Sequence, residues 1–238
     1  MTRPDDSLGR RAFLRVGGAS VTAALLGCDS APAKRLLALA ARRNEGVERW
    51  LFRHTARDGF PAGARLSGAA FPRYFVSKEL PVWDAAARGA WRLEVAGLVR
   101  RPLSLSLADL QKLPRVTQRV NHYCVEGWTA RAEWSGVRVS ELARVAGALP
   151  DAGYVDFQSF DDGYHESWDL ESATHPQTIV AYGMDGTLLT PGHGAPARLH
   201  SPIKLGYKNT KYLTRVLFLP ARNGGYWSDQ GYEWYGGV

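Results

Sequence analysis

The segment that decides the fold is residues 121–128, NHYCVEGW, in which Cys124 stands four residues before Trp128. An alternating run over residues 115–124 (RVTQRVNHYC) precedes the tryptophan and predicts a strand that carries the cysteine at its end. The chain has two cysteines, and the other, Cys28, lies near the N-terminus. In an exported protein a thiol without a disulfide partner needs another role, such as metal binding or catalysis.

The N-terminus predicts export. Residues 7–14 (SLGRRAFL) place paired arginines before an apolar stretch, which is typical of a twin-arginine signal. The uncharged run over residues 16–27 is too short to cross a bilayer as a helix. We therefore predict a signal over residues 1–27 and a periplasmic or other extracytoplasmic location.

Residues 25–28 (LLGC) have the pattern of a lipobox, whose cleavage would leave Cys28 as an acylated first residue. This pattern favours a lipid-anchored protein with Cys28 as its membrane tether. Two alternatives stay open: a plain signal peptide cut after Ala33, and a disulfide between Cys28 and Cys124.

The composition predicts one globular domain. Residues 28–65 are rich in alanine and arginine and predict a spacer, so roughly 170 of the 238 residues, 66–238, are left for one well-buried domain. The net charge is +7, and the signal carries four arginines and two aspartates, which leaves +5. An exported basic protein rarely meets nucleic acid, so we predict no nucleic-acid partner and favour an anionic cofactor, substrate or lipid surface.

Short strands and short helices predict an α+β fold with mixed sheets. The predicted strands are residues 91–99, 115–124, 154–160, 178–182, 197–200 and 212–219. Two helices are predicted, over residues 105–113 with Ser106 as N-cap and over residues 139–146 with Ser140 as cap. There is no steady βαβ alternation and no dinucleotide-binding glycine fingerprint.

The residues around Cys124 predict a reactive thiol. Arg119, His122 and Arg131 lie near it in the sequence, and positive charge favours the thiolate that binds metals. From these residue types alone, a buried structural cysteine stays an alternative. A zinc site on Cys124, His122 and a distant histidine is a further alternative, although it lacks a familiar ligand spacing.

A second block of basic and polar residues spans 192–212. Together with CVEGW at 124–128 and WSGV at 134–137, it resembles the molybdopterin-binding domain of the sulfite-oxidase superfamily, in particular its bacterial periplasmic methionine-sulfoxide-reductase-like branch. The resemblance covers residues 66–238. It implies a sulfite-oxidase-type molybdopterin-binding fold and a molybdenum-dependent oxidoreductase that carries one molybdopterin without a nucleotide.

The resemblance also implies roles for ten residues. Cys124 falls at the position of the molybdenum ligand. The implied cofactor contacts are Arg73, Val76, Ser77, Ser159, His193, Arg198, Asn209, Thr210 and Lys211. Arg198 and Lys211 have the charge that a pterin phosphate needs, whereas Lys204, Lys208 and Arg215 are predicted to form only a solvated flank.

One departure from the family bears on the substrate. Sulfite oxidases have FVRNHxP where residues 75–81 read FVSKELP, so Ser77 replaces an arginine that helps to bind their anionic substrate. This favours oxygen-atom transfer such as sulfoxide reduction on a small-molecule substrate. Sulfite oxidation and a non-catalytic exported lipoprotein are the alternatives. Ser77, Lys78, Glu79 and residues 121–123 are predicted to line the entrance.

The chain has no haem-attachment motif, so electrons must cross to another protein. The resemblance implies a membrane electron-transfer partner, a quinol-linked haem protein. We expect the chain itself to be a monomer.

Overall fold

The computed structural model describes residues 31–52, 55–61, 63–161 and 163–238, with the backbone alone for residues 31–34 and 38. The predicted signal over residues 1–27 and the lipobox Cys28 lie outside the described residues. The chain divides into one unit that ends at Val47 and a second from Glu48 to Val238. The described part of the first unit, residues 31–47, belongs to helix α1 (Ala31–Phe52). Of the helices that are described, none is both long and apolar enough to cross a membrane.

The second unit contains two five-stranded sheets. Its strands are β1 (Leu93–Gly97), β2 (Leu103–Leu105), β3 (Arg115–Tyr123), β4 (Thr129–Arg138), β5 (Tyr154–Ser159), β6 (His165–Asp169), β7 (Ile179–Met184), β8 (Thr187–Leu188), β9 (Arg198–His200) and β10 (Leu213–Leu219). Its remaining α-helices are α2 (Ala85–Arg88), α3 (Leu107–Lys112), α4 (Val139–Ala146) and α5 (Leu170–Ala173).

The two sheets together confirm the predicted α+β fold with mixed sheets. The first has the order β2-β1-β10-β5-β6, in which β1 and β10 pair in parallel and the other neighbours are antiparallel. The second is antiparallel with the order β3-β4-β7-β8, and β9 adds to β7. All six residues of β7 are buried, which is typical of a strand covered on both faces.

The helix ends test the predicted caps. The Ser106 hydroxyl accepts from Asp109 N at 3.1 Å, and the Asp109 carboxylate accepts from Ser106 N at 3.1 Å, so α3 begins with the predicted cap. The predicted cap at Ser140 is wrong. Helix α4 spans Val139–Ala146, the predicted range, but its cap is Arg138, which makes no side-chain bond, and Ser140 lies inside the first turn.

Four strands were missing from the prediction: the short strands β2 and β8, and the longer strands β4 and β6. For β4 and β6 the reason is local. Strand β4 reads TARAEWSGVR, whose alanines and charged residues have low strand propensity. It forms because it pairs over nine positions with β3. Strand β6 reads HESWD, and its buried Glu166 and Asp169 hide the apolar alternation that marks a strand.

The core consists of two clusters of buried apolar side chains. Trp168 belongs to the larger one and Trp134 to the smaller one, and both are almost fully buried. The end of the predicted spacer is attached to the sheets, since Arg57 N donates to Gln177 Oε1 at 2.7 Å and Ser67 N donates to Arg131 O at 2.8 Å.

Candidate functional site

The turn between β3 and β4 presents Cys124. Its backbone N–H donates to Trp128 O, and Gly127 N donates to Cys124 O, each at 3.0 Å. Gly127 has φ +87°, a left-handed conformation that favours glycine. The CVEGW block is therefore a closed turn that holds a free thiol at the end of a strand.

The thiol opens into a cavity of about 300 Å³. The walls come from the ends of β3 and β5, from β9, and from loops before β1 and on either side of β10. The lining residues are Phe71, Pro72, Tyr74, Phe75, Val76, His122, Cys124, Val125, Glu126, Trp128, Ser159, Asp161, Tyr164, Arg198, Gly206, Tyr207, Asn209, Lys211, Tyr212, Trp227 and Tyr232.

The prediction that neighbouring positive charges favour the Cys124 thiolate is wrong for the protein chain by itself. Burial raises the pKa of the Cys124 thiol, and the negative charge of Glu126, whose Oε2 lies 3.9 Å from Sγ, adds to the increase. Side chains alternate along a strand, so Arg119 points to the opposite face, where it contacts Glu133 at 3.4 Å and the ring of Phe60. Arg131, which pairs with Asn121, belongs to that same opposite face.

His122 lies on the cavity side but is neutral. Burial, followed by the charges of Arg198 and Lys211, lowers the pKa of His122 to about 3. Its ring stacks on His200 at a centroid distance of 5.6 Å. A Cβ on Gly206 would lie 2.7 Å from His122 Nε2, so the glycine makes room for this ring. In the part of the chain that the structure describes, no three His, Cys, Asp or Glu side chains are grouped to hold a metal ion.

The inner end of the cavity is cationic. Arg198 is 3% exposed and donates to three backbone carbonyls, those of Leu199, His193 and Asn209, at 3.2 to 3.4 Å. Burial lowers the pKa of Arg198 to about 10. Burial, followed by the charge of Arg198, lowers the pKa of Lys211 to about 7. Two cations that are held together out of water favour a bound anion.

Six of the ten predicted site residues line this cavity. They are Cys124, Val76, Ser159, Arg198, Asn209 and Lys211. The structure therefore brings together residues that are separated by more than 130 positions in the sequence.

The other four predicted residues lie around the lining. Thr210 is buried, and its hydroxyl has no hydrogen-bond partner among the described residues. The ring of His193 packs on that of Phe71 at a centroid distance of 5.4 Å. Burial, followed by the charges of nearby cations, lowers the pKa of His193 to about 4. The exposed Arg73 runs past Gly192, next to His193. Ser77 faces Asp161 and is described next.

The prediction that Ser77, Lys78 and Glu79 line the entrance is wrong, since none of the three is among the described lining residues. The Asp161 carboxylate accepts from Val76 N at 2.7 Å, from Ser77 N at 2.8 Å and from the Ser77 hydroxyl. This pairing engages the Ser77 hydroxyl with Asp161, which itself lines the cavity. Of residues 121–123, only His122 is in the lining.

Sequence reasoning missed two acidic residues of the site. Asp161 holds the segment around Val76, and Glu126 accepts from Tyr74 Oη and Trp128 Nε1, both at 3.0 Å. Glu126 is inside the CVEGW block, so its position next to the cysteine was available as a signal. No local pattern marks Asp161, because its partners lie more than 80 residues away.

The prediction of a solvated flank is confirmed for the exposed Arg215 but wrong for Lys204 and Lys208, which are both buried. Lys208 Nζ forms an ion pair with the buried Glu166, and Lys204 Nζ donates to Tyr235 O at 2.8 Å. In the sequence, Lys204 and Lys208 lie four residues apart beside a cationic loop, a pattern that is typical of a solvent-exposed segment. Only the folded C-terminal segment covers them.

The cavity fits the anionic, polar cofactor that the resemblance implies. Its cationic end offers Arg198 and Lys211 to a phosphate. Thr210 Oγ1 and Tyr212 Oη are buried polar atoms without a hydrogen-bond partner among the described residues, which suits a ligand with a polar edge. A single thiol opens into the same space, as one metal–sulfur bond requires.

Comparisons with known proteins agree with this geometry. Residues 79–227 match the family model of the oxidoreductase molybdopterin-binding domain. A putative protein-methionine-sulfoxide reductase subunit of Azospira oryzae is 40% identical over 237 residues, which cover 96% of this chain and 87% of that protein. The protein-methionine-sulfoxide reductase catalytic subunit of Campylobacter jejuni is 28% identical over 162 residues, which cover 61% of this chain and 54% of that protein.

A solved structure shows the same fold. The sulfane dehydrogenase SoxCD of Paracoccus pantotrophus superposes with a TM-score of 0.55 at 21% identity, over 71% of this chain and 56% of that one. The predicted sulfite-oxidase-type fold is confirmed. From its sheets, its cavity and these matches, the chain belongs to the oxidoreductase molybdopterin-binding domain family and is a molybdenum- and molybdopterin-dependent oxidoreductase.

Proposed function

We propose that this protein reduces S-oxides by oxygen-atom transfer at a molybdenum centre bound to Cys124. The observation that carries the proposal is the single cavity that the Cys124 thiol, the buried Arg198 and the half-buried Lys211 share. The relatives named as methionine-sulfoxide reductase subunits support the same direction of reaction.

Different residues of the chain bind different parts of the cofactor. Cys124 supplies a soft thiolate, which suits molybdenum better than an oxygen ligand would. Arg198 and Lys211 bind the phosphate, and Ser159, Asn209 and Thr210 face the polar parts of the pterin. The bound cofactor supplies two-electron oxygen-atom transfer, and the protein positions and shields it. Val76, held by Asp161, closes the opposite wall.

The reaction balances with an external reductant. The sulfur of an S-oxide gains two electrons, and its oxygen leaves as water with two protons. The chain holds no haem-attachment motif, so the electrons come from a separate donor.

We expect about one molybdenum and one pterin per chain, because the cavity offers one thiolate and one cationic end. The measurement is metal analysis and pterin release on protein from a twin-arginine-competent, molybdate-supplied host. The released pterin should carry no nucleotide. Stoichiometric zinc, or no metal at all, would contradict the proposed centre.

We expect S-oxide reduction to outpace sulfite oxidation. Ser77 stands where sulfite oxidases have an arginine, and its hydroxyl is bound to Asp161, so it offers no charge to an anion. The assay is dye-coupled turnover of the molybdenum-loaded protein in both directions, on methionine sulfoxide, dimethyl sulfoxide, trimethylamine N-oxide and sulfite. Fast sulfite oxidation with negligible sulfoxide reduction would overturn the substrate proposal and leave the cofactor in place.

The location and the electron donor are proposals of the same kind. The twin-arginine pattern at residues 7–14 and the lipobox at residues 25–28 support export and a lipid tether through Cys28. A tethered enzyme would lie close to a quinol-linked haem protein in the membrane. We expect radiolabelled palmitate to enter the wild-type protein and not Cys28→Ala, whose export should continue. Equal labelling of both would show that Cys28 is not acylated.

A further inference from the structure

We infer that the C-terminal segment Tyr226–Tyr235 forms an aromatic wall, made by Trp227 and Tyr232, that binds the organic arm of an uncharged sulfoxide. The inference rests on the proposed sulfoxide reduction. It assigns a part of the chain that lies mostly beyond the family match, which ends at residue 227.

The wall lines the cavity into which the thiol opens. Trp227 and Tyr232 both line it, and their rings are 5.1 Å apart. Tyr232 also contacts the Tyr207 ring at 5.4 Å. Tyr207 follows Gly206, which faces His122 Nε2 and Tyr123 O, two residues that lead directly to Cys124. The wall and the thiol therefore line one cavity and are linked through Tyr207 and Gly206.

The wall is also open to solvent, as a substrate-binding surface must be. Tyr232 is 41% exposed, and across the mouth Tyr74 is 56% and Val125 is 48% exposed. Arg198, by contrast, is buried at the inner end. A phosphate-bearing cofactor occupies the cationic end, so the aromatic mouth is left for the substrate.

The mouth selects against anions. Among the exposed lining residues the charged one is Glu126, a carboxylate, whereas Arg198 is buried and Lys211 half-buried. An uncharged alkyl or aryl arm buries apolar surface against Trp227 and Tyr232, and this burial stabilises the bound substrate. Sulfite has no apolar arm and makes no such contact.

Buried bonds make the wall rigid. Trp227 N donates to Glu166 Oε1 at 3.1 Å, and the Ser228 hydroxyl donates to Glu166 Oε2 at 3.3 Å. Glu166 is also ion-paired with Lys208, and both side chains are fully buried. Further along, Trp234 Nε1 donates to Ser167 Oγ at 2.9 Å. A wall that is fixed before binding loses little conformational entropy when a substrate binds.

The test compares two substrates that share the reacting group and differ in the arm. For molybdenum-loaded Trp227→Ala and Tyr232→Ala, kcat/KM for methyl p-tolyl sulfoxide should fall roughly 10-fold more than kcat/KM for dimethyl sulfoxide, the scale of a lost apolar pocket contact. Tyr232→Phe keeps the ring and should retain the wild-type ratio. Leu188→Ala, an exposed apolar residue on β8 outside the cavity lining, is the matched control and should change neither constant.

Two outcomes would overturn the inference. An equal loss for both sulfoxides, or a loss of molybdenum and pterin content, would mean that the two rings contact the cofactor. An unchanged kcat/KM for both sulfoxides in both alanine variants would mean that the arm binds elsewhere. Failure of the proposed function is distinct, because the loaded wild-type protein would then reduce neither sulfoxide.

Discussion

Replacing Cys124 with serine is expected to lower dye-coupled turnover by on the order of 100-fold or more. Loss of an outer-shell partner of a metal ligand already costs up to about 100-fold in activity, and Cys124 is proposed to be a direct ligand. A serine oxygen is a poor substitute for a soft thiolate. The fold should persist, because the turn that holds Cys124 is closed by its backbone N–H and C=O, which serine keeps. Turnover per molybdenum and the thermal unfolding midpoint measure the two effects.

A coordination readout separates ligation from a structural role for Cys124. The molybdenum X-ray absorption spectrum of Cys124→Ser should show one sulfur ligand fewer than that of the wild type. Normal turnover with unchanged sulfur coordination would show that Cys124 is not the ligand. Leu188→Ala is a matched control, since Leu188 is an exposed apolar residue outside the cavity lining.

Replacing Arg198 with alanine is expected to leave most of the purified protein without cofactor. Removing one partner of a buried charge pair costs about 3–5 kcal/mol, which corresponds to roughly 100- to 1,000-fold or more in affinity. Lys211, whose pKa burial and Arg198 lower to about 7, would be left to bind the phosphate almost alone. Molybdenum and pterin content per chain are the measurements.

Two further variants serve as controls for the Arg198 prediction. Arg198→Lys keeps the charge but loses the paired N–H donors, so its occupancy should lie between those of the wild type and Arg198→Ala. Arg215→Ala removes an exposed arginine that pairs with Glu94 and should load fully. Full loading of Arg198→Ala would place the phosphate elsewhere.

Local patterns in the chain were enough to predict much of the fold. Strand β3 runs from Arg115 to Tyr123, against a prediction of residues 115–124, because its apolar alternation is undisturbed. The cap at Ser106 is a contact across three residues and can be read locally. Strand β6 could not be read, since the ion pair that makes its Glu166 tolerable joins it to Lys208, 42 residues away.

The functional site was also predictable only in part. The closed turn around Cys124 follows from a short block of residues, so its position at the end of a strand was predictable. The ionisation of the thiol was not, because it depends on which neighbours share its face. Alternation along β3 sends Arg119 to the far side and leaves Glu126 as the charge nearest the sulfur.

By itself the sequence determined the cysteine, the cationic loop and, through resemblance, the class of cofactor, because these features lie in short blocks whose chemistry is local. Only the tertiary structure decided what surrounds them. Asp161 binds the backbone and hydroxyl of Ser77, and Glu166, paired with Lys208, holds Trp227 in the cavity lining. Both arrangements join residues that are at least 40 positions apart, and burial, which the folded chain creates as a whole, makes such charges pair.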